Sequence, residues 1–119
     1  MRRLVARFYR TMSGEEPVRD WLSTMESLDR KTIGIDVASV EFGWPLHAPE
    51  HEVLGRGVFR LRSNVRHGRM EARTYFAIQA ETMLLLHGEC GENDGEDVAS
   101  RRLQDYRRRG LGSMENEDV

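Results

Sequence analysis

One cysteine, Cys90, in 119 residues leaves no partner for an internal disulfide and too few thiolates for a zinc cluster. As an isolated thiol it reads first as an incidental core residue and only second as a nucleophile. No run of apolar residues approaches the length that crosses a bilayer. The first residues, MRRLVARFYR, carry basic side chains but lack the apolar stretch of a secretion signal, so they read as a strand and the expected location is the cytoplasm. The length accommodates one domain with a real core and excludes a separate catalytic domain. Lysine is nearly missing too. Seventeen of the eighteen basic residues are arginine, a composition that base usage in the gene or a need for bidentate phosphate contacts would both produce.

A formal net charge of −2 argues against simple nucleic-acid binding, yet the charge is segregated. Between Val53 and Phe76 six arginines stand against Glu71 alone, whereas Glu89 to Asp97 holds five acids and no base. Arg101 to Arg109 is basic again, and Glu115, Glu117 and Asp118 follow. The richest stretch is GVFRLRSNVRHGRMEARTYF, Gly57 to Phe76. Strand alternation puts Phe59 and Leu61 on one face and Arg60 and Arg62 on the other. It then puts Met70, Ala72, Thr74, Phe76 and Ile78 opposite Arg69, Glu71, Arg73 and Tyr75. Such a β ribbon, turning within Asn64 to Gly68, offers one apolar face and one cationic, aromatic face suited to a polyanion such as RNA. The plainer reading is a solvated face of an antiparallel sheet.

Around the ribbon, Arg3 to Arg10 alternates as an edge or half-buried strand. Ser13 and Glu16 have capping-box spacing, Pro17 suits a first helical turn, and Val18, Trp21, Leu22, Met25 and Leu28 make one helical stripe, with Trp21 in the core. Asp29 can cap a second helix with Ile33, Val37 and Val40 inward, ending at Gly43 before Trp44-Pro45. Glu52 to Leu54 and Thr82 to His87 read as further strands. Asp97 to Arg109 reads as a weakly amphipathic helix with Val98, Leu103 and Tyr106 on its apolar side. Residues 110–119 have no pattern and read as a disordered acidic tail. The expected class is α+β, in the order β-α-α-β-β-β(-α), with a mainly antiparallel sheet packed on a helical hairpin.

That order, together with the strings FYRTMSGEEPVRDWL, EFGWPL, VFRLRS and MLLLHG, resembles the HigB-like branch, often phage-derived, of the RelE/ParE toxin superfamily, toxins of type II toxin-antitoxin modules. The resemblance covers roughly residues 7–109. It implies a RelE-like fold and metal-independent, ribosome-dependent cleavage of messenger RNA in the A site, which inhibits translation. It also implies inhibition by a cognate helix-turn-helix antitoxin, with no metal and no cofactor. By the same resemblance Arg62 and Arg73 match positions that hold the RNA backbone or its transition state. Relatives continue after the histidine-glycine pair with a basic loop; this chain reads HGECGENDGED, which is acidic and shorter.

Cleaving RNA without metal requires the ribose 2′-hydroxyl deprotonated, the phosphorane charge stabilised and the 5′ oxygen protonated. Arginine is a poor base, so Arg60, Arg62, Arg66, Arg69 and Arg73 would hold phosphate. His67 at the ribbon turn, His87, Tyr75 and Glu89 are the candidates to carry protons. Each has a plain alternative: His87 as a hydrogen-bonded strand-end histidine, Tyr75 as packing instead of a base-stacking platform. His47 and His51 have metal spacing only on a helix, and Pro49 excludes one there. The acidic stretch either balances the arginines within the chain or marks a loop without nuclease function. On both accounts phosphate affinity drops. Three functions stay open: a messenger-RNA endoribonuclease toxin, a non-catalytic interaction module of the same fold, and a ParE-like gyrase inhibitor.

Overall fold

The computed structural model describes residues 4–91 and 94–110. Its elements are β1 (Val5–Phe8), α1 (Pro17–Ser23), α2 (Ser27–Gly43), β2 (His51–Gly55), β3 (Val58–Val65), β4 (Met70–Gln79), β5 (Thr82–Cys90) and α3 (Glu96–Arg108). The five strands form one sheet in the order β1-β5-β4-β3-β2, antiparallel except where β1 runs parallel to β5. This is an α+β fold in three layers.

Period-two burial builds the layers. Leu61, Val65, Ala72, Phe76, Met83 and Leu85 face α1 and α2, meeting Val18, Ile33, Val37 and Val40 in the larger core, with Phe59, Met70 and Ile78 at its margin. The division of the ribbon expected from alternation therefore holds on this side. The opposite face was expected to be cationic throughout, but its β4–β5 end is a second core. There Val58, Tyr75, Ala77, Leu84 and Leu86 pack under Ala99, Leu103 and Tyr106 of α3. The amphipathic stripe of α3 thus turns half of the supposed open face into an interior; of Arg60, Arg62 and Arg73, only Arg62 on β3 stays half exposed.

The helical hairpin differs locally from expectation. The stripe from Val18 to Leu28 is not one helix: the hydroxyls of Ser23 and Thr24 bond back to the carbonyls of Asp20 and Trp21, α1 stops, and Leu28 ends up exposed. Ser13 and Glu16 form no capping box; the Ser13 hydroxyl contacts Glu15 instead. Asp29 does not cap α2, whose N-cap is Glu26. Asp29 lies inside the first turn, and its Oδ1 accepts the backbone N–H of Arg66 at 2.9 Å, tying the helix to the ribbon turn. The turn itself starts later than expected, because β3 continues to Val65. At the other edge, Glu41 of α2 accepts the Ala6 N–H at 2.7 Å and so holds β1 in place.

Strand β5 continues three residues beyond His87, and a bulge decides which way those residues point. Tyr75 pairs with His87 and Phe76 with Leu85, leaving Leu86 as an extra residue. The bulge shifts the side-chain phase by one. Unbroken alternation from Met83 would turn His87 and Glu89 into the α1–α2 core; with the bulge they face outward and Gly88 faces inward. Only glycine fits there, since a Cβ would lie 2.0 Å from the Trp21 ring. The half-buried Trp21 is thereby clamped on the strand. Among the described residues, no helix is long and apolar enough to cross a membrane.

Candidate functional site

The outward-facing side chains of β2 to β5 fall into cross-strand rows that follow from the register. One row runs Glu52, Arg60, Tyr75, His87; the next runs Arg62, Arg73, Glu89; a third pairs Asn64 with Glu71. Arg62 and Arg73 are direct partners across β3 and β4; the Glu71 carboxylate lies between their Nη1 atoms, while their Nε–Nη2 edges turn apart, toward Glu52 and Glu89. Carboxylates interleave with every arginine in these rows. Arg60 and Arg62 both bond Glu52, and Glu71 lies 3.6 Å from Arg62 and 3.8 Å from Arg73. The Arg60 guanidinium and its hydrogen bonds hold the Glu52 carboxyl down at about 2, well below the usual carboxylate range. Arg60 also sits over the Tyr75 ring at 5.9 Å, which fixes its plane.

Glu89 is the hub of the buried end. It is only 7% exposed and accepts Arg73 Nε at 3.1 Å and Nη2 at 2.8 Å, the Tyr75 hydroxyl at 3.2 Å and His87 Nε2 at 3.0 Å. Arg73 Nη2 also donates to the Gly91 carbonyl at 2.6 Å. The loop into α3 closes over this network: Gly95 donates its N–H to the Tyr75 oxygen at 3.2 Å, and Asp94 bonds the Glu96 N–H at 3.0 Å. A side chain at Gly95 would collide with His87 and Glu89, so the close approach needs glycine.

These contacts assign proton states. Arg102 can only donate, and its Nη1 lies 3.2 Å from His87 Nδ1, so Nδ1 is the acceptor and Nε2–H donates to Glu89. Burial is the main cause that lowers the His87 pKa, with Arg102 adding to it and Glu89 opposing. His87 is therefore neutral near pH 7, as a base requires, but both ring nitrogens are engaged within the protein. Burial above all raises the Tyr75 hydroxyl, which keeps it protonated.

Tyr75 is fully buried beneath α3, so its ring offers no face to a base in this structure. Arg60, Arg62, Arg73, Tyr75 and His87 do converge. Arg66, His67 and Arg69 do not join them; they sit at the ribbon turn beside an open cleft of about 960 Å³ that Trp21, Met25, Leu28 and Cys90 also line. Arg66 and His67 take left-handed backbone angles, φ 51° and 56°, and the Arg66 N–H is bonded to Asp29 of α2. The expected single arginine site is thus two regions. Burial raises the Cys90 thiol, which leaves it protonated and weakly nucleophilic.

No protein-family profile matches the chain, and no curated protein matches it. The arrangement itself carries the functional argument. Sequence reading missed Glu52 as the partner of Arg60 and Arg62. No local pattern announces it: the register shifts between Val53 and Gly55, and continuous pairing from Gly55 and Val58 would set Glu52 opposite Leu61, on the other face. Glu89 was named as a proton carrier, but its position as the hub depends on the bulge, which no local pattern announces. Among the acids of the 89–97 stretch, Glu89 neutralises Arg73, while Glu96 and Asp97 lie in the first turn of α3, where acids are favourable. Glu92 and, of the tail expected at 110–119, residues 111–119 lie outside the described residues.

Proposed function

We propose that the chain is a HigB-like toxin with a RelE-like fold, an endoribonuclease that cuts messenger RNA on the ribosome and is restrained by a helix-turn-helix antitoxin. The observation that carries this reading is the direct pairing of Arg62 and Arg73 across β3 and β4 on the outer sheet face, beside a neutral histidine. Two guanidiniums set opposite each other can grip adjacent non-bridging oxygens and stabilise the charge of a pentavalent phosphorus. Arg62 is half exposed and would meet the phosphate first; Arg73, held by Glu89, is fixed in direction. His87 would take the 2′-hydroxyl proton once Arg102 withdraws from Nδ1, and Glu89 would orient the imidazole through Nε2–H. His67, the other expected carrier, sits at the ribbon turn away from this pair and takes no part in the step.

A second reading, an interaction module of the same fold without nuclease activity, is favoured by one specific feature. Both ring nitrogens of His87 and both oxygens of Glu89 are already occupied. Induction of the protein without antitoxin separates the readings. The toxin reading expects growth arrest with transcripts cut only on ribosomes, and Arg62→Ala, a half-exposed position, should abolish cutting while the circular dichroism spectrum stays unchanged. No arrest would sink the toxin reading, and arrest with intact transcripts and inhibited gyrase would point to a ParE-like target.

A further inference from the structure

The geometry points to a phosphate seat between Arg60 and Arg62 that the Glu52 carboxylate fills in the absence of RNA, so that an RNA phosphodiester binds by displacing this side chain. It rests on the RNA-directed reading above and adds to it the group that holds the site closed.

Four hydrogen bonds define the seat. Glu52 Oε1 accepts Arg60 Nε and Arg62 Nε, both at 2.8 Å, while Oε2 accepts Arg60 Nη2 at 2.8 Å and Arg62 Nη2 at 3.2 Å. Each guanidinium presents its Nε–Nη2 edge, so two forks converge on one pair of oxygens. A phosphodiester offers the same thing: two non-bridging oxygens sharing one negative charge, in a geometry that matches the arginine fork. Arg60 is largely buried and rests over Tyr75, so the inner fork is built in advance; Arg62, on the open side, can follow a ligand.

The occupant is removable and the room exists. Glu52 lies on β2, an edge strand, and its side chain is 36% exposed, so the displaced carboxylate would enter water without leaving a buried charge behind. An open cavity of about 400 Å³ adjoins the seat, with Asn64 and Glu71 on its far side. Because the Glu52 carboxyl titrates near 2, acidification within the physiological range does not open the seat; a competing anion must. The RNA backbone is a stronger candidate than free phosphate because Arg62 also faces Arg73 across the strands, so adjacent phosphates of one strand find successive cations.

The test is binding of a fluorescent, single-stranded RNA oligonucleotide carrying 2′-O-methyl groups, which cannot be cut, to the full chain. Glu52→Gln should bind about tenfold tighter than the parent protein, whereas Glu50→Gln, the same charge change on the same cavity, should change affinity less than about twofold. Arg62→Lys in the Glu52→Gln background should remove the gain, because an ammonium cannot supply the fork. Equal affinities for Glu52→Gln and the parent, or equal gains at Glu50 and Glu52, would overturn the proposal. So would a Glu52→Gln protein that gains affinity for inorganic phosphate but not for the oligonucleotide. Neither ribosome nor antitoxin takes part, so failure of the toxin assay leaves this result readable on its own.

Discussion

His87 shows how much a single position depends on its neighbours. In the sequence it is a histidine before a glycine; in the structure it is packed against Tyr75, donates to Glu89, accepts from Arg102 and is held neutral by burial. The consequence for stability has a definite sign. Its folded pKa lies below the ordinary 6.5, so as pH falls through 6.5 the unfolded chain takes up a proton that the folded protein refuses. The contribution of neutral His87 is complete above that value and is lost as pH descends toward the folded pKa. Thermal melts from about pH 7.5 to about pH 5.5 should therefore show a falling midpoint, and His87→Gln should flatten that fall. An unchanged slope in the variant would place the pH response elsewhere.

At the level of elements, α3 is the piece that turns an open sheet into a three-layer domain. Its register on the sheet comes from Leu103 and Tyr106 over Leu84 and Leu86, and from Asp105, whose carboxylate accepts the Tyr9 hydroxyl at 2.6 Å and pairs with Arg108 and Arg109. The Tyr9 hydroxyl is also the largest cause holding the Asp105 carboxyl below its usual range. Leu103 is 1% exposed, so Leu103→Ala should cost about 2–5 kcal/mol by lost burial and a residual cavity. Chemical denaturation would measure it, and hydrogen exchange should show earliest loss of protection in α3 and at Tyr75. The same helix explains why Tyr75 packs instead of presenting its ring: α3 brings Gly95 onto the phenol oxygen.

For the whole molecule, the net charge of −2 says little about polyanion binding because the charges are arranged, not averaged. Glu52, Glu71 and Glu89 neutralise Arg60, Arg62 and Arg73 in the free protein, while Arg66 and Arg69 lie apart at the ribbon turn, on a cleft that Glu26 and Asp29 also line. If RNA engages this surface through two to five phosphates, the affinity for single strands should fall with salt at a log–log slope of roughly −1.4 to −3.5. Fluorescence anisotropy across a salt series reads the slope directly. A slope near zero would mean that the surface meets no phosphate.

The α+β class and the inward faces of β3 and β4 were legible in the sequence, because period-two and period-3.6 burial are local properties of the chain; the expected order β-α-α-β-β-β(-α) has three strands after the helices where the structure has four. Pairing, bulges and layer contacts are not local. The stop of α1 at Ser23 is itself local, made by the hydroxyls of Ser23 and Thr24 on the carbonyls three residues back, but the apolar stripe through Leu28 masks it. Only the sheet register brought Glu52 onto Arg60 and Arg62, eight and ten residues away. The extra residue at Leu86 turned His87 and Glu89 outward, and with them came the buried network under α3. The arginines were written in the sequence; which carboxylate each one meets was settled by how the strands align, because an ion pair needs proximity in space and alternation supplies only direction.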